Sequence, residues 1–217
     1  MSGKRISSDE RRALILEAAR GVFSRFGYEG ARTQEIARAA GVSEALIYRH
    51  FSSKEVLHTA VLRETIREQN ASYHLIGLQD LTPRGLILNL RGYFRIVTGD
   101  GPERVREGFR LLLSSVAGDN QFARQIYRRA QRMQVEMIRK VLGDAKDAGD
   151  IVGDVLDVAN TSMFIEHIGT MMNSLYEASA HNSPYHGDRD KIVDDATRFV
   201  ARGLGFREET INRLLAG

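Results

Sequence analysis

Cysteine is absent from this 217-residue chain, which excludes disulfides, thiol catalysis and any cysteine-ligated metal site. Proline occurs three times, and two of the three stand where helices start. No run of about 18 apolar residues occurs, and the N-terminus is charged where a secretory leader would be apolar. A soluble, cytoplasmic protein is therefore expected. The signatures of common catalytic sites are missing too: no GxGxxG turn after a strand, no P-loop and no HExxH. Glu166 and His167 are adjacent, so on a helix they point to different faces and cannot act as an acid–base pair. His181, His186 and Asp188 fall in a loop and read as solvated polar groups. Neither an enzyme nor any cofactor or metal is expected. Nothing has the alternation of a strand, and no repeat occurs.

Charge of one sign is only slightly in excess, with 31 basic and 28 acidic residues and a net charge of +3. The distribution says more than the total. Residues 1–60 hold ten Lys/Arg and seven Asp/Glu, and the remainder holds 21 of each. Lys4, Arg5, Arg11 and Arg12 form a basic arm. Such an arm either tracks phosphates or a minor groove, or is a solubilising tail.

What is present is helical signal. Ser7 and Glu10 have capping-box spacing for a first helix, whose Leu14, Ala18, Val22 and Phe26 recur at i+4. Ser52 and Glu55 do the same for a fourth helix, running to about Gln69 or beyond. Thr82-Pro83 opens a helix to about Thr98, and the turn Gly99 to Pro102 opens another ending near Ala117. Asp119 is placed to cap a long helix carrying Phe122, Ile126, Met133, Met137 and Val141, ending at Ala148-Gly149. Further helices are expected over 154–180, 190–203 and 207–215.

The segment Thr33 to Phe51, TQEIARAAGVSEALIYRHF, carries the most information. Thr33 can cap a short helix on whose inner face Ile36, Ala37 and Ala40 recur. Gly41 stands where that helix must end with φ > 0, and Val42 can plug the angle that follows. Ser43 caps a second helix, with Ile47 and Phe51 facing inward four residues apart. Glu44, Ala45, Leu46, Tyr48, Arg49 and His50 are left free to touch something else. Helix, glycine turn and capped second helix describe a helix-turn-helix, the arrangement that lays a helix in a DNA groove. Lys54 falls in the first turn of the next helix, where a cation opposes the helix dipole. It makes sense there if a phosphate docks on the helix N-terminus.

The run T-x-x-I-A-x-x-A-G-V-S-x-x-x-I-Y-R-H-F-x-S-K-E-x-L, Thr33 to Leu57, resembles the DNA-binding signature of TetR-family (TetR/AcrR) bacterial regulators. Phe26-Gly27-Tyr28 and Ala31 match the family's opening helix, and the likeness covers about the first 60 residues closely. It implies an all-α protein: an N-terminal three-helix helix-turn-helix domain over 1–60, continuous with a helical ligand-binding and dimerisation domain over 61–217. By position it implies phosphate contacts at Thr33, Tyr48, His50 and Lys54, with Gln34 beside them. Ser43 to Arg49 would be the groove-facing helix. The chain departs from the family's common pattern at Glu44, Ala45 and Leu46. Glu44 can accept from cytosine N4 and Leu46 can meet a thymine methyl, or Glu44 simply favours the helix N-terminus.

The resemblance further implies a homodimer joined through the helices at 154–180 and 190–203, with Phe199, Val200, Gly203 and Leu204 as interface candidates. One short recognition helix reads few base pairs, so a two-fold dimer on a near-palindromic double-stranded operator supplies the rest. Tyr93, Phe109, Tyr127, Met133, Phe164 and His167 lie on helices that line ligand cavities in relatives; an aromatic and methionine stripe at helical spacing is more often ordinary core. Arg91, Arg95 and Arg110 could meet an anionic ligand or belong to solvated faces. The expected function is a ligand-responsive repressor released from DNA by a small apolar or amphipathic effector. An activator or co-repressor mode, and a helical interaction protein without specific DNA binding, are the alternatives.

Overall fold

The computed structural model describes residues 7–75, 80–118, 120–176 and 183–216, excluding the side chains of residues 69–75, 133 and 134. Lys4, Arg5, Asp119 and His181 therefore lie outside the described residues, as does the side chain of Met133. The described residues form α1 (Ser8–Gly30), α2 (Thr33–Ala40), α3 (Glu44–His50), α4 (Lys54–Leu75), α5 (Pro83–Arg95), α6 (Glu103–Ala117), α7 (Gln121–Asp147), α8 (Val158–Tyr176), α9 (Arg189–Gly203) and α10 (Glu208–Ala216). Their only extended pairing among the described residues is one antiparallel bridge, Ile151 with Phe206. There Val152 N–H donates to Gly205 O at 2.8 Å, tying the end of α7 to the α9–α10 link.

Several helix starts are as the sequence dictates. Ser7 and Glu10 form a reciprocal capping box, Ser43 accepts from Leu46 N–H, and Thr82 accepts from Gly85 N–H with Pro83 behind it. Others shift by a residue or more. Thr33 is not a cap: Arg32 is, its own N–H donating to the Glu35 carboxylate at 3.4 Å, and Thr33 is the first helical residue. Ser53, not Ser52, caps α4, its hydroxyl accepting from Val56 N–H at 3.1 Å. α8 starts at Val158, not at residue 154, because Asp157 supplies the cap, accepting from Asn160 N–H at 2.9 Å. The buried face of α1 is Ile15, Ala19, Val22 and Phe23, whereas Leu14 and Phe26 stand about half exposed. Of the expected stripe Val22 is buried and Ala18 half-buried, while Leu14 and Phe26 turn outward, because an i+4 ladder drifts around a helix of 3.6 residues per turn.

The helix that begins at Pro83 changes pitch at Ile96, where a π-helical turn runs to Asp100. Asn173 of α8 explains it. Its side-chain amide donates to Val97 O at 2.9 Å, and the Thr98 hydroxyl donates to Phe94 O at 2.7 Å. A side chain entering the backbone ladder widens the turn.

Two apolar cores result. One joins α5, the second half of α7, α8, α9 and α10 around Ile87, Phe94, Leu142, Val193 and Ile211. The other joins α1 to α4 around Ile15, Phe23, Ile36, Ile47, Phe51, Leu57 and Val61, and is completed by Leu111, Leu112, Phe122, Ala123 and Ile126 of α6 and α7. Phe109 packs against both. The helix-turn-helix head thus shares its core with the start of the body.

Along that seam α6 lies against α1. Glu107 approaches Gly21, where a Cβ would stand 3.5 Å from its carboxylate. Ser114 faces Gly27, whose φ of 66° and ψ of 179° suit only glycine and break α1. Burial pushes the Glu107 carboxyl above the ordinary carboxylate range; Arg20 opposes that shift, Glu17 and Glu103 add to it, and Arg110 opposes it. A carboxyl raised in the folded state favours folding below its unfolded pKa and loses that contribution as pH rises through the folded value. Glu107→Gln is therefore expected to raise the melting temperature near pH 7 and to leave it unchanged near pH 3, below about 4.3 for a free glutamate. Circular-dichroism melts at both pH values check this; an equal gain at both would remove charge burial as the cause.

Candidate nucleic-acid interface

The head presents α3 on its surface. α2 ends at Gly41, in the left-handed region at φ 64° and ψ 34°, and Val42 N–H returns to Ala37 O at 3.0 Å. Ser43 then starts α3, its hydroxyl accepting from Leu46 N–H. Ile47 and Phe51 turn inward and are almost fully buried. Glu44, Ala45, Tyr48 and Arg49 are exposed with Gln34 and Ser43, while Leu46 and His50 are half buried. A seven-residue helix whose one apolar stripe is used internally thus leaves its other faces to solvent.

Around α3 the structure fixes two polar positions. Thr33 is buried, and its hydroxyl meets the Tyr48 hydroxyl at 3.2 Å, so the start of α2 and the middle of α3 share one hydrogen bond. Lys54, at the start of α4, holds its ammonium 4.6 Å over the Tyr28 ring and 3.5 Å from Glu29 O. Tyr28 is in turn packed by Phe23 and by His58, whose ring centroid is 5.0 Å away. The cation is thereby positioned by an aromatic face. Tyr28 had no assigned role from the sequence: it lies 26 residues from Lys54, and no periodicity links the two. Arg11 and Arg12, expected in a basic arm, lie instead in the first turns of α1, and the Arg12 guanidinium is likewise seated, 4.9 Å over the Phe51 ring.

In the body, two of the six cavity candidates, Tyr93 and Tyr127, come together around Glu166, with the exposed His167 at the edge. The Tyr93 hydroxyl donates to the buried Glu166 carboxylate at 3.3 Å. It sits so close to Gly169 that a Cβ there would be 2.0 Å away. Tyr127 packs edge-on to His167 at 5.2 Å. Burial raises its phenol pKa; the nearby Thr170 hydroxyl acts against that, and the charge of Glu166 adds to it. Glu166 is buried while its neighbour His167 is exposed, the opposed facing the helix requires. Glu166, which the sequence sets on a different face from His167, joins this group because its face turns inward. Phe164 does not join it: the side chain is 59% exposed on α8, on the outward stripe with His167, Met171 and Leu175. Arg95 pairs with Asp190 at 2.7 Å and Arg110 with Glu103 at 3.3 Å, so surface ion pairs account for both.

On α9, Phe199 is 68% exposed and Gly203 is exposed, but Val200 and Leu204 are buried in the chain's own core. The last two are thus removed from the interface candidates. Among the described residues no three His, Cys, Asp or Glu converge on a metal position, and no helix is long and apolar enough to cross a membrane.

Comparison with known proteins bears on this geometry. Residues 15–61 match the model of bacterial regulatory proteins of the tetR family. The chain is 28% identical over 193 residues, 88% of its length and 79% of the other's, to the HTH-type transcriptional activator FasR of Mycolicibacterium smegmatis. It is 46% identical over 54 residues, 25% of this chain and 28% of the relative, to the HTH-type transcriptional repressor AcnR of Corynebacterium diphtheriae. Its fold is that of AibR, solved in complex with isovaleryl coenzyme A and operator DNA: the TM-score is 0.65 at 20% identity, covering 91% of this chain and 100% of that one. These proteins are regulators, not enzymes. The matched segment is the one whose helices present α3, Thr33–Tyr48 and Lys54, and the likeness to FasR continues through the body. The chain belongs to the tetR family of bacterial regulatory proteins and is a DNA-binding transcriptional regulator.

Proposed function

We propose that this regulator is a homodimeric repressor that leaves a near-palindromic operator when a small apolar or amphipathic effector binds its body. The observation that carries the reading is the exposed face of α3 flanked by the positioned Tyr48 and Lys54. Tyr48, His50 and Lys54 grip phosphate, with Thr33 orienting Tyr48 and Gln34 reaching the backbone from α2. Ser43, Glu44, Ala45, Leu46 and Arg49 meet the major groove. Glu44 accepts from cytosine N4, and Leu46 reads a thymine methyl with its exposed edge.

Dimerisation is supported by the apolar outer faces of two body helices. On α8, Phe164, Met171 and Leu175 stand 59%, 50% and 41% exposed, and Phe199 of α9 stands 68% exposed. Large apolar side chains exposed along one helix face, as on α8, mark interaction surfaces. Phe199→Glu costs no buried packing and is expected to turn a dimer into a monomer in sedimentation velocity. A dimer unchanged by it would place the contact elsewhere.

The effector seat is the group around Tyr93, Tyr127, Glu166 and Thr170, with Phe109 toward the head. An effector need prefer the non-binding geometry by only a few kcal/mol to shift the population. Release by ligand is the family's usual sign; the likeness to an activator, FasR, favours the opposite sign as second reading. Selection of bound duplexes from a random pool tests the DNA half. Inverted repeats with half-sites about 34 Å apart or more are expected, and a pool with no enriched sequence would overturn specific binding. A thermal-shift panel repeated on the DNA complex then identifies the effector and its sign.

A further inference from the structure

We propose that Arg104 is a positioning residue which sets the angle of the DNA-binding head by clamping α1 and α4 to the body through one guanidinium. Arg104 is on α6. Its Nη2 meets Glu17 of α1 at 2.8 Å, and its Nη1 meets Glu68 of α4 at 2.9 Å. Glu68 is simultaneously bound by Arg20 of α1 at 2.5 Å. The Arg20 side chain is 3% exposed, so losing Glu68 would take away the direct ion pair of a buried charge. Arg104 adds the body to that pair.

The fork geometry matters. Two nitrogens of a rigid plane address two carboxylates on two helices, so the distance between those helices and their tilt against α6 are fixed together. Close packing joins α6 to the head farther along, through Leu111 and Leu112, but not at the Arg104 end. A cleft of about 470 Å³ opens at this place, lined by Leu16, Glu17, Arg20, Val61, Glu68 and Arg104 among others. The ionic span crosses open space between helices that touch elsewhere. Arg104 and Glu17 are about half exposed, and exposed pairs are individually weak. Such a clamp biases an angle without holding the fold together.

The test requires neither operator nor effector, so it stands or falls separately from the repressor reading. The cysteine-free chain accepts two spin labels at the exposed Ala39→Cys in the head and Asp147→Cys in the body. Pulsed electron–electron spin resonance, with labelled protein diluted in unlabelled protein, reads the head-to-body distance within one chain. R104Q and E17Q are each expected to broaden or shift that distribution at low salt, with R104K between R104Q and the parent. Raising salt to about 1 M, where the screening length is about 3 Å, should move the parent toward R104Q. A packing role would show none of this salt response. Circular-dichroism melts establish that each variant is folded; should R104Q not fold, E17Q, at a half-exposed carboxylate, carries the measurement. Distributions of R104Q and E17Q that superimpose on the parent's at low salt would overturn the proposal.

Discussion

Replacing Phe23 with alanine is expected to lower the unfolding free energy by about 3–5 kcal/mol, the range for deleting a fully buried aromatic side chain. Phe23 is 0% exposed. Its ring stacks with Tyr28 at 6.3 Å and meets His58 edge-on at 4.7 Å. Truncation leaves a cavity under the ring that supports Lys54, so stability and DNA affinity should fall together. Against a typical total of about 5–15 kcal/mol, the loss is large enough to lower the urea midpoint plainly with little change in slope. Because the head core is closed by Leu111, Leu112 and Phe122, the body should unfold in the same transition. A loss under about 1 kcal/mol would place Phe23 in a site that collapses without penalty.

The second large effect concerns salt. Affinity for duplex DNA should fall about 10³-fold or more between 50 and 200 mM salt if a dimer neutralises six or more phosphates. Lys54→Ala should weaken binding to every sequence alike and reduce the log–log salt slope by about 1 per head. Folding should be spared, since Lys54 is a surface side chain whose contacts are one ring face and one carbonyl. Fluorescence anisotropy on a random-sequence duplex at four salt concentrations measures slope and affinity at once. A flat salt response would contradict phosphate-driven docking, and an unchanged slope in Lys54→Ala would remove that residue from the contact.

Local signals were readable wherever one side chain answers one backbone need. Gly41 ends α2 because only a residue tolerant of positive φ can stand there, and Ser43 starts α3 because a hydroxyl must take Leu46 N–H. Pro83 marks a start in the same way, whereas Asp188, expected to be a solvated loop residue, caps α9 by accepting from Lys191 N–H. Signals failed where two neighbouring residues could serve equally. Ser53 caps α4 although Ser52 has the better spacing to Glu55, and Asp157 starts α8 where Asp154 also offers a carboxylate. Both choices are made by how the helix must then pack.

The sequence by itself determined the helical class, the helix-turn-helix at 33–51 and the exposed face of α3. All three follow from spacings shorter than two turns. The tertiary structure alone decided which residues those elements rest on. Tyr28 carries Lys54, Glu166 takes the Tyr93 hydroxyl, and Val200 is core while Phe199 is surface. It also decided that α6 and α7 close the core of the head, and that Arg104 spans from them to Glu17 and Glu68. These pairings join residues 26 to 87 positions apart. Periodicity fixes a side chain's face on its own helix, but only the packing of helices against one another fixes which partner that face meets.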